Sequence, residues 1–283
     1  MKNFSIITNV VKDDNLTVTH SITSYIEKKG GYATLLSTYE GRIPEQDFNA
    51  GQIPENTECI IVLGGDGTLI RVATKVEELS IPMIGVNLGN LGYLCELEKA
   101  NVYRAIDRLM ADEYVLEERM MLTGYKGGET HSRSALNDIV IHQVGNLSIL
   151  HLNVYVNGEF LSTYLADGMI VATPTGSTGY NMSAGGPIVD PKAKMLLLTP
   201  INAHNLHSRS IVLGAEDVVE IELASRRQEQ DEQAVVSYDG DSVLKLGVGD
   251  RFVVSQAASV TKICKLNKES FLEIMRRKME NYK

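Results

Sequence analysis

The run Gly64-Gly65-Asp66-Gly67-Thr68 places one carboxylate among three glycines, directly after the apolar stretch Cys59-Ile60-Ile61-Val62-Leu63. A helical pattern follows it. A strand that ends in glycines and opens a helix leaves free N–H groups and the positive end of a helix dipole at a sheet edge, where phosphate binds. Glycines permit positive φ and let a phosphate approach the backbone. The carboxylate is the unusual part, because it opposes an anion. Two tasks fit it: accepting a proton from an attacking hydroxyl, or holding Mg²⁺. A tight turn with a helix N-cap would use the same residue types. The run is neither G-x-x-x-x-G-K-[ST] nor G-x-G-x-x-G, so no P-loop lysine is invoked.

Three further stretches could contribute. Gly85-Val86-Asn87-Leu88-Gly89-Asn90-Leu91-Gly92-Tyr93 also follows a strand pattern, at what should be the same sheet edge. Crevices at that edge hold ligands in open α/β sheets, although a tight structural loop has the same composition. From Asp167-Gly168 to Ser183 a strand runs into hydroxyl and small residues, Thr173 to Thr178, then Gly179-Tyr180-Asn181-Met182. Hydroxyls offer neutral donors and acceptors to a sugar or base edge, and Tyr180 offers a face to an adenine; an ordinary loop is the other reading. Asn137-Asp138 is a polar pair inside the apolar strand pattern Leu136 to Ile141, and such groups need partners from the fold or from a ligand. Of the histidines only His204 and His207 are closely spaced, and their Pro/Asn-rich setting points to a loop. No histidine metal site is expected.

The elements that must carry these residues fall into two patterns. Up to about residue 115, short apolar runs alternate with helical spacing: strands at Phe4 to Ile7, Tyr32 to Leu36, Cys59 to Leu63 and Ile81 to Val86, with helices around Val18 to Ile26, Leu69 to Leu79 and Val102 to Leu109. Such alternation builds a parallel sheet covered by helices. The polar stretch Glu40 to Asn56 reads as a surface loop. From Val115 to about Leu266 the apolar residues mostly alternate with polar ones, the strand period. Asn157-Gly158 after Leu152, Val154 and Val156 signals a hairpin. A short helix is expected around Lys192 to Leu197, and a final helix from Phe271 to Met279. The domains expected are 1–118 with 268–283, α/β, and 119–267, β-rich.

The 283 residues carry a formal net charge of −9 and are 43% hydrophobic. That is enough apolar material for cores, and the acidic balance disfavours nucleic acid. Cys59, Cys95 and Cys264 are odd in number and widely spaced, which suits a reduced intracellular chain. No run of about 18 apolar residues occurs, so no membrane span is expected. The cytoplasm is the expected location.

Taken together, these stretches resemble the NAD kinase family across nearly the whole chain. The resemblance rests on Gly64 to Thr68, Asn87 to Tyr93, Asn137-Asp138, Asp167-Gly168 with Thr173 to Tyr180, Leu198-Thr199-Pro200-Ile201-Asn202-Ala203-His204-Asn205-Leu206, and Asp239-Gly240. The glycine turn alone is shared with diacylglycerol and sphingosine kinases; the order of the whole set is more specific. The resemblance implies an N-terminal α/β domain, a β-rich C-terminal domain and a last helix returning to the first. It implies an active site between the domains, completed by a second subunit of a homodimer or homotetramer. NAD and Mg²⁺-ATP would be the substrates and NADP the product. Asp66 would activate the ribose 2′-hydroxyl, and Gly64, Gly65, Gly67 and Thr68 would cradle phosphates with Arg71. Asn137, Asp138, Asp167, Thr178, Gly179, Tyr180, Asn181, Met182 and Ser183 would contact the dinucleotide. The sequence departs from the family's habit at Asp138 (usually Glu), Gly179 (usually Ala), Ala203 and Ser210 (prolines), Asp241 (often Gln) and Leu165 (often basic). A lipid kinase built on the same turn, or a non-catalytic dinucleotide sensor, are the alternatives.

Overall fold

The computed structural model describes residues 1–39, 46–89, 92–95, 97–129, 131–143, 149–204, 209–225, 233–267 and 269–280. His207, Asn205, Leu206, Asn90, Leu91 and the first residues of the 40–56 stretch lie outside them. The chain forms two compact units, Met1–Glu118 with Thr261–Lys283, and Arg119–Val260.

In the first unit, β1 (Asn3–Asn9), α1 (Thr17–Lys28), β2 (Tyr32–Thr38), β3 (Cys59–Gly64), α2 (Asp66–Lys75), β4 (Met83–Asn87), β5 (Leu97–Glu98) and α3 (Val102–Met110) follow in order. The strands are parallel and run β2-β1-β3-β4-β5 across the sheet. Every residue of β3 is buried, because helices cover both sheet faces. On one face Val18, Ile22 and Ile26 of α1 and Val102, Ile106 and Leu109 of α3 pack with Phe4, Ile6, Ile61, Leu63 and Ile84. Helix α2 packs on β3 and β4 and buries Leu69, Val72 and Ala73.

The second unit is built from β6 (Val115–Lys126), β7 (Arg133–Ala135), β8 (Asp138–Gln143), β9 (Leu150–Val156), β10 (Glu159–Ala166), β11 (Gly168–Ala172), α4 (Tyr180–Ser183), β12 (Met195–Ile201), β13 (Ile211–Gly214), β14 (Val219–Ala224), β15 (Gln233–Tyr238), β16 (Asp241–Gly247) and β17 (Arg251–Lys265). One antiparallel sheet has the order β13-β12-β11-β8-β15-β16, and β10-β9-β14-β17 form another. A core including Leu152, Val154, Ile139, Ile141, Met169, Val171, Val236 and Phe252 draws on both sheets. Asn157 and Gly158 take φ of 53° and 79°, the doubly positive pair of a tight hairpin turn between β9 and β10.

Two sequence expectations change. Lys192 to Leu197 is not helical: β12 begins at Met195. Leu196 and Leu198 enter the large core while Leu197 enters a smaller cluster with Val140, Ile170 and Ala172 on the opposite face. Burial on both faces hides the strand alternation. The return to the first unit comes at Thr261 rather than at 268, inside β17, which runs unbroken from Arg251 to Lys265. The last helix, α5 (Phe271–Glu280), buries none of its residues, although Lys278 Nζ lies 4.6 Å from the Tyr93 ring centroid.

Candidate active site

In the first unit, β1 and β3 are neighbours, and the chain leaves β1 toward β2 on one side and β3 toward β4 on the other. Open parallel sheets bind ligands at such a reversal, beyond the strand C-termini. The glycine turn sits there. A Cβ at Gly64 would lie 2.4 Å from Thr68 Oγ1, so glycine is required for the turn to close. Buried Thr68 accepts hydrogen bonds from Asn9 Nδ2 (3.2 Å) and Gly65 N (3.4 Å), which ties the end of β1 to the first turn of α2. Gly67 is exposed with open space around it, and Arg71 lies one turn further along α2, half-buried.

Asp66 is the first residue of α2. Its carboxylate accepts amides from another loop. Oδ2 accepts N–H bonds from Tyr93 (2.5 Å) and Leu94 (3.2 Å), and Oδ1 accepts one from Cys95 (2.9 Å). The second glycine cluster is thus the partner of the first, a link reinforced by Leu88 N donating to Gly64 O at 2.8 Å. Gly92 makes the approach possible, since a Cβ there would fall 1.8 Å from Asp66 Oδ1. Gly92→Ala is therefore expected to lose about 1–3 kcal/mol of stability in urea titrations and to push the 92–95 loop off the carboxylate.

The structure adds a cation that sequence reading passed over. Lys12 Nζ lies 3.2 Å from where a Cβ of Gly65 would be. Burial, then the Asp66 charge, holds the Cys95 thiol above its ordinary value, and the Lys12 charge pulls the other way. Lys12 also lines a cavity of about 380 Å³ with Asn87, Gly89 and Lys99. Asn9 Oδ1 accepts Val11 N–H, and buried Asp13 accepts the N–H groups of Val18 and Thr19 at the start of α1, so Lys12 stands between two fixed points. No motif flags it; only the adjacency of β1 and β3 does.

In the second unit, Asn137, Asp138, Asp167 and Tyr180 line one cavity of about 620 Å³, with Val140, His142, Asn202, Ser237 and Asp239 among its other walls. Its floor is one face of the β8-containing sheet. Asp138, Val140 and His142 alternate on β8, opposite Ala172, Ile170 and Gly168 of β11. Asn137 lies in the bend before β8, not inside the strand. Its carbonyl accepts Thr173 N–H at 2.8 Å. Among the described residues its Oδ1 is buried without a hydrogen-bond partner, which is costly unless a ligand donor meets it.

Asp138 is buried beside Asp239. Burial first, then the Asp239 charge, pushes its carboxyl up to about 7. Asp239 is pushed up to about 6, chiefly by burial and against the three amides of Leu136, Asn137 and Asp138 that donate to it at 2.7, 2.7 and 3.1 Å. Its φ of 50° is the left-handed conformation that Asp tolerates.

Among the remaining expected residues, Thr178 is half-buried, Tyr180 is exposed at the rim, and Met182 and Ser183 are exposed. Asn181 differs: it is fully buried, donates to Ser177 O and Pro187 O, and accepts from Thr199 Oγ1. Its side chain braces the loop rather than opening to the cavity. Gly179 lies beside the acid pair, since a Cβ there would stand 3.5 Å from Asn137 Nδ2 and 3.8 Å from Asp138 Oδ2.

Residues 5–114 match the model of the ATP-NAD kinase N-terminal domain, and residues 136–266 that of the C-terminal domain. The chain belongs to the ATP-NAD kinase family. An NAD kinase of Agathobacter rectalis is 63% identical over 282 residues, covering all of both chains, and one of Lachnoclostridium phytofermentans is 41% identical over 98% of this chain and 99% of its own. Among solved structures, yeast NADH kinase complexed with NADH superposes with a TM-score of 0.87 at 21% identity, over 99% of this chain and 88% of that one. An NAD kinase of Archaeoglobus fulgidus in complex with ATP gives 0.77 at 21% identity, over 97% and 98%. Those likenesses establish the fold: an α/β first unit and a β-rich second, as ATP-NAD kinases have. Among the described residues no helix is long and apolar enough to cross a membrane.

Proposed function

We propose that this chain transfers the γ-phosphoryl group of ATP to the 2′-hydroxyl of the adenosine ribose of NAD, giving NADP and ADP. The observation that carries the reading is the cavity of the second unit, where the buried acceptor Asn137 Oδ1, unpartnered among the described residues, stands beside buried Asp138 and half-buried Asp239. A base amine suits the former and sugar hydroxyls the latter. A lipid acceptor would need neither. The cavity volume falls in the range of small-molecule sites.

As the ribose oxygen attacks Pγ, its proton passes to Asp66, and the bond from Pγ to the bridging oxygen of ADP breaks. Oδ1, with a single amide partner, is the oxygen for that proton. The amides of Gly64, Gly65, Gly67 and Thr68 would offer N–H donors to the phosphate oxygens of Mg²⁺-ATP, whose metal would supply charge neutralisation, with Arg71 nearby on α2. Lys12 supplies the countercharge that a carboxylate beside a polyphosphate demands. Asp138, Asp167, Thr178, Gly179 and Tyr180 hold the dinucleotide, with Met182 and Ser183 at the edge. The protein is read as a cytoplasmic homodimer or homotetramer, which sedimentation velocity measures.

Incubation with Mg²⁺-ATP and NAD tests the reading through NADP formation; phosphorylation of diacylglycerol or a sphingoid base instead would replace it with a lipid kinase. Lys12→Met is expected to raise the KM for ATP about tenfold or more, the worth of one charge-assisted contact, with the KM for NAD unmoved. An unchanged KM for ATP would remove Lys12 from the phosphate site.

A further inference from the structure

Asp167 occupies the corner between β10 and β11, and its backbone is pinned on two sides. Its N–H donates to Ile201 O at 2.9 Å, and its carbonyl accepts Gln143 N–H at 3.1 Å. A third contact fixes the side chain: Asn202 Nδ2 donates to Asp167 Oδ2 at 2.9 Å. Asn202 is the first residue after β12 and lines the same cavity as Asp167. Its φ is 46°, a left-handed conformation open to Asn, Asp and Gly and strained for most other residues. Backbone and side chain therefore agree on this residue type at the cavity wall.

We propose that Asn202 is a positioning residue for the dinucleotide, acting through Asp167; the inference rests on the reading of this cavity as the NAD site. With Oδ2 held, Oδ1 is the oxygen left for a ligand hydroxyl or amide N–H. An unheld aspartate samples several rotamers, and ordering it costs affinity at the moment of binding. Asn202 removes that cost beforehand. Being neutral, it orients the carboxylate without cancelling its charge, as a lysine or arginine would. The effect belongs to the acceptor, so NAD binding feels it and ATP binding does not.

Asn202→Gly keeps the backbone conformation and deletes the amide, while Asn202→Asp keeps the conformation and sets a second carboxylate against Asp167. The KM for NAD is expected to rise roughly five- to tenfold in Asn202→Gly, the worth of one hydrogen bond, and further in Asn202→Asp. The KM for ATP and the melting temperature should stay near wild type. Combining Asn202→Asp with Asp167→Asn re-forms the bond with the partners exchanged, and should recover part of the loss of Asn202→Asp. Calorimetric Kd values for NAD read the same effect without turnover. If wild type forms NADP, or binds NAD, while both single variants keep its KM or Kd, the role of Asn202 is overturned. If wild type neither forms NADP nor binds NAD, the reading of the site itself has failed, and Asn202 with it.

Discussion

Asp66→Asn is expected to lower kcat by ~10²–10⁴-fold while NAD still binds. The amide has no basic atom at neutral pH, so the proton released as the ribose oxygen joins Pγ has nowhere to go. The structure adds a second consequence. Three amides, of Tyr93, Leu94 and Cys95, donate to this carboxylate. An asparagine has one oxygen to offer them, and its NH₂ group would face an N–H donor. The 92–95 loop should loosen, with about 1–3 kcal/mol lost in urea titrations. The two effects separate in single-turnover measurements beside Gly92→Ala, which disturbs the same loop with the carboxylate present. A barrier rise far larger in Asp66→Asn than in Gly92→Ala assigns the proton transfer to Asp66. Turnover within about tenfold of wild type in Asp66→Asn would take the base role from it.

What the sequence made legible was local. A fully apolar strand followed by glycines locates the turn at Gly64, and Asn157-Gly158 locates its hairpin, because those signals lie within a few residues of one another. The partners of Asp66 lie 27 to 29 residues further on. They are adjacent only because β3 and β4 pair side by side, with Gly64 opposite Asn87. Lys12 was invisible for the same reason: it follows β1, and the sheet order brings it beside Gly65. In the second unit the cavity floor follows the strand period, so Asp138 could be suspected, but Asn202 and Asp239 sit in turns after strands where no period applies. Asn181 misleads in the opposite sense. A polar residue in a hydroxyl-rich loop reads as a contact for ligand, yet Ser177, Pro187 and Thr199 use its whole amide. Polar composition marks the neighbourhood of a site, and only tertiary pairing tells which side chains face it.

Asp138→Asn is expected to stabilise the protein at pH 8 while weakening NAD binding. Burial pushes the Asp138 and Asp239 carboxyls up to about 7 and about 6 in the folded chain, against 3.8 for an ordinary aspartate. Between about pH 4 and 7 the folded state therefore holds protons that the unfolded chain has released. By linkage, stability falls as pH rises through that window and levels off above it. At about 1.36 kcal/mol for each pH unit between ordinary and folded values, the loss reaches roughly 7 kcal/mol at most by pH 8, since both carboxylates are then ionised side by side. The Asp239 charge acts on Asp138, so the midpoint belongs to the pair rather than to either residue. Asn at 138 removes one of the two charges and should flatten the pH dependence of unfolding measured in urea between pH 5 and 8. Asn at 239 should flatten it too but destabilise the protein, because that carboxylate also accepts three backbone amides and its loss leaves them wanting. A wild-type stability that is level from pH 5 to 8 would show that the pair carries no shared proton. The two variants differ in sign because Asp239 builds the floor on which Asp138 stands, whereas Asp138 is kept there against the stability of the empty fold, at the place where a ribose or base can offer it hydrogen bonds.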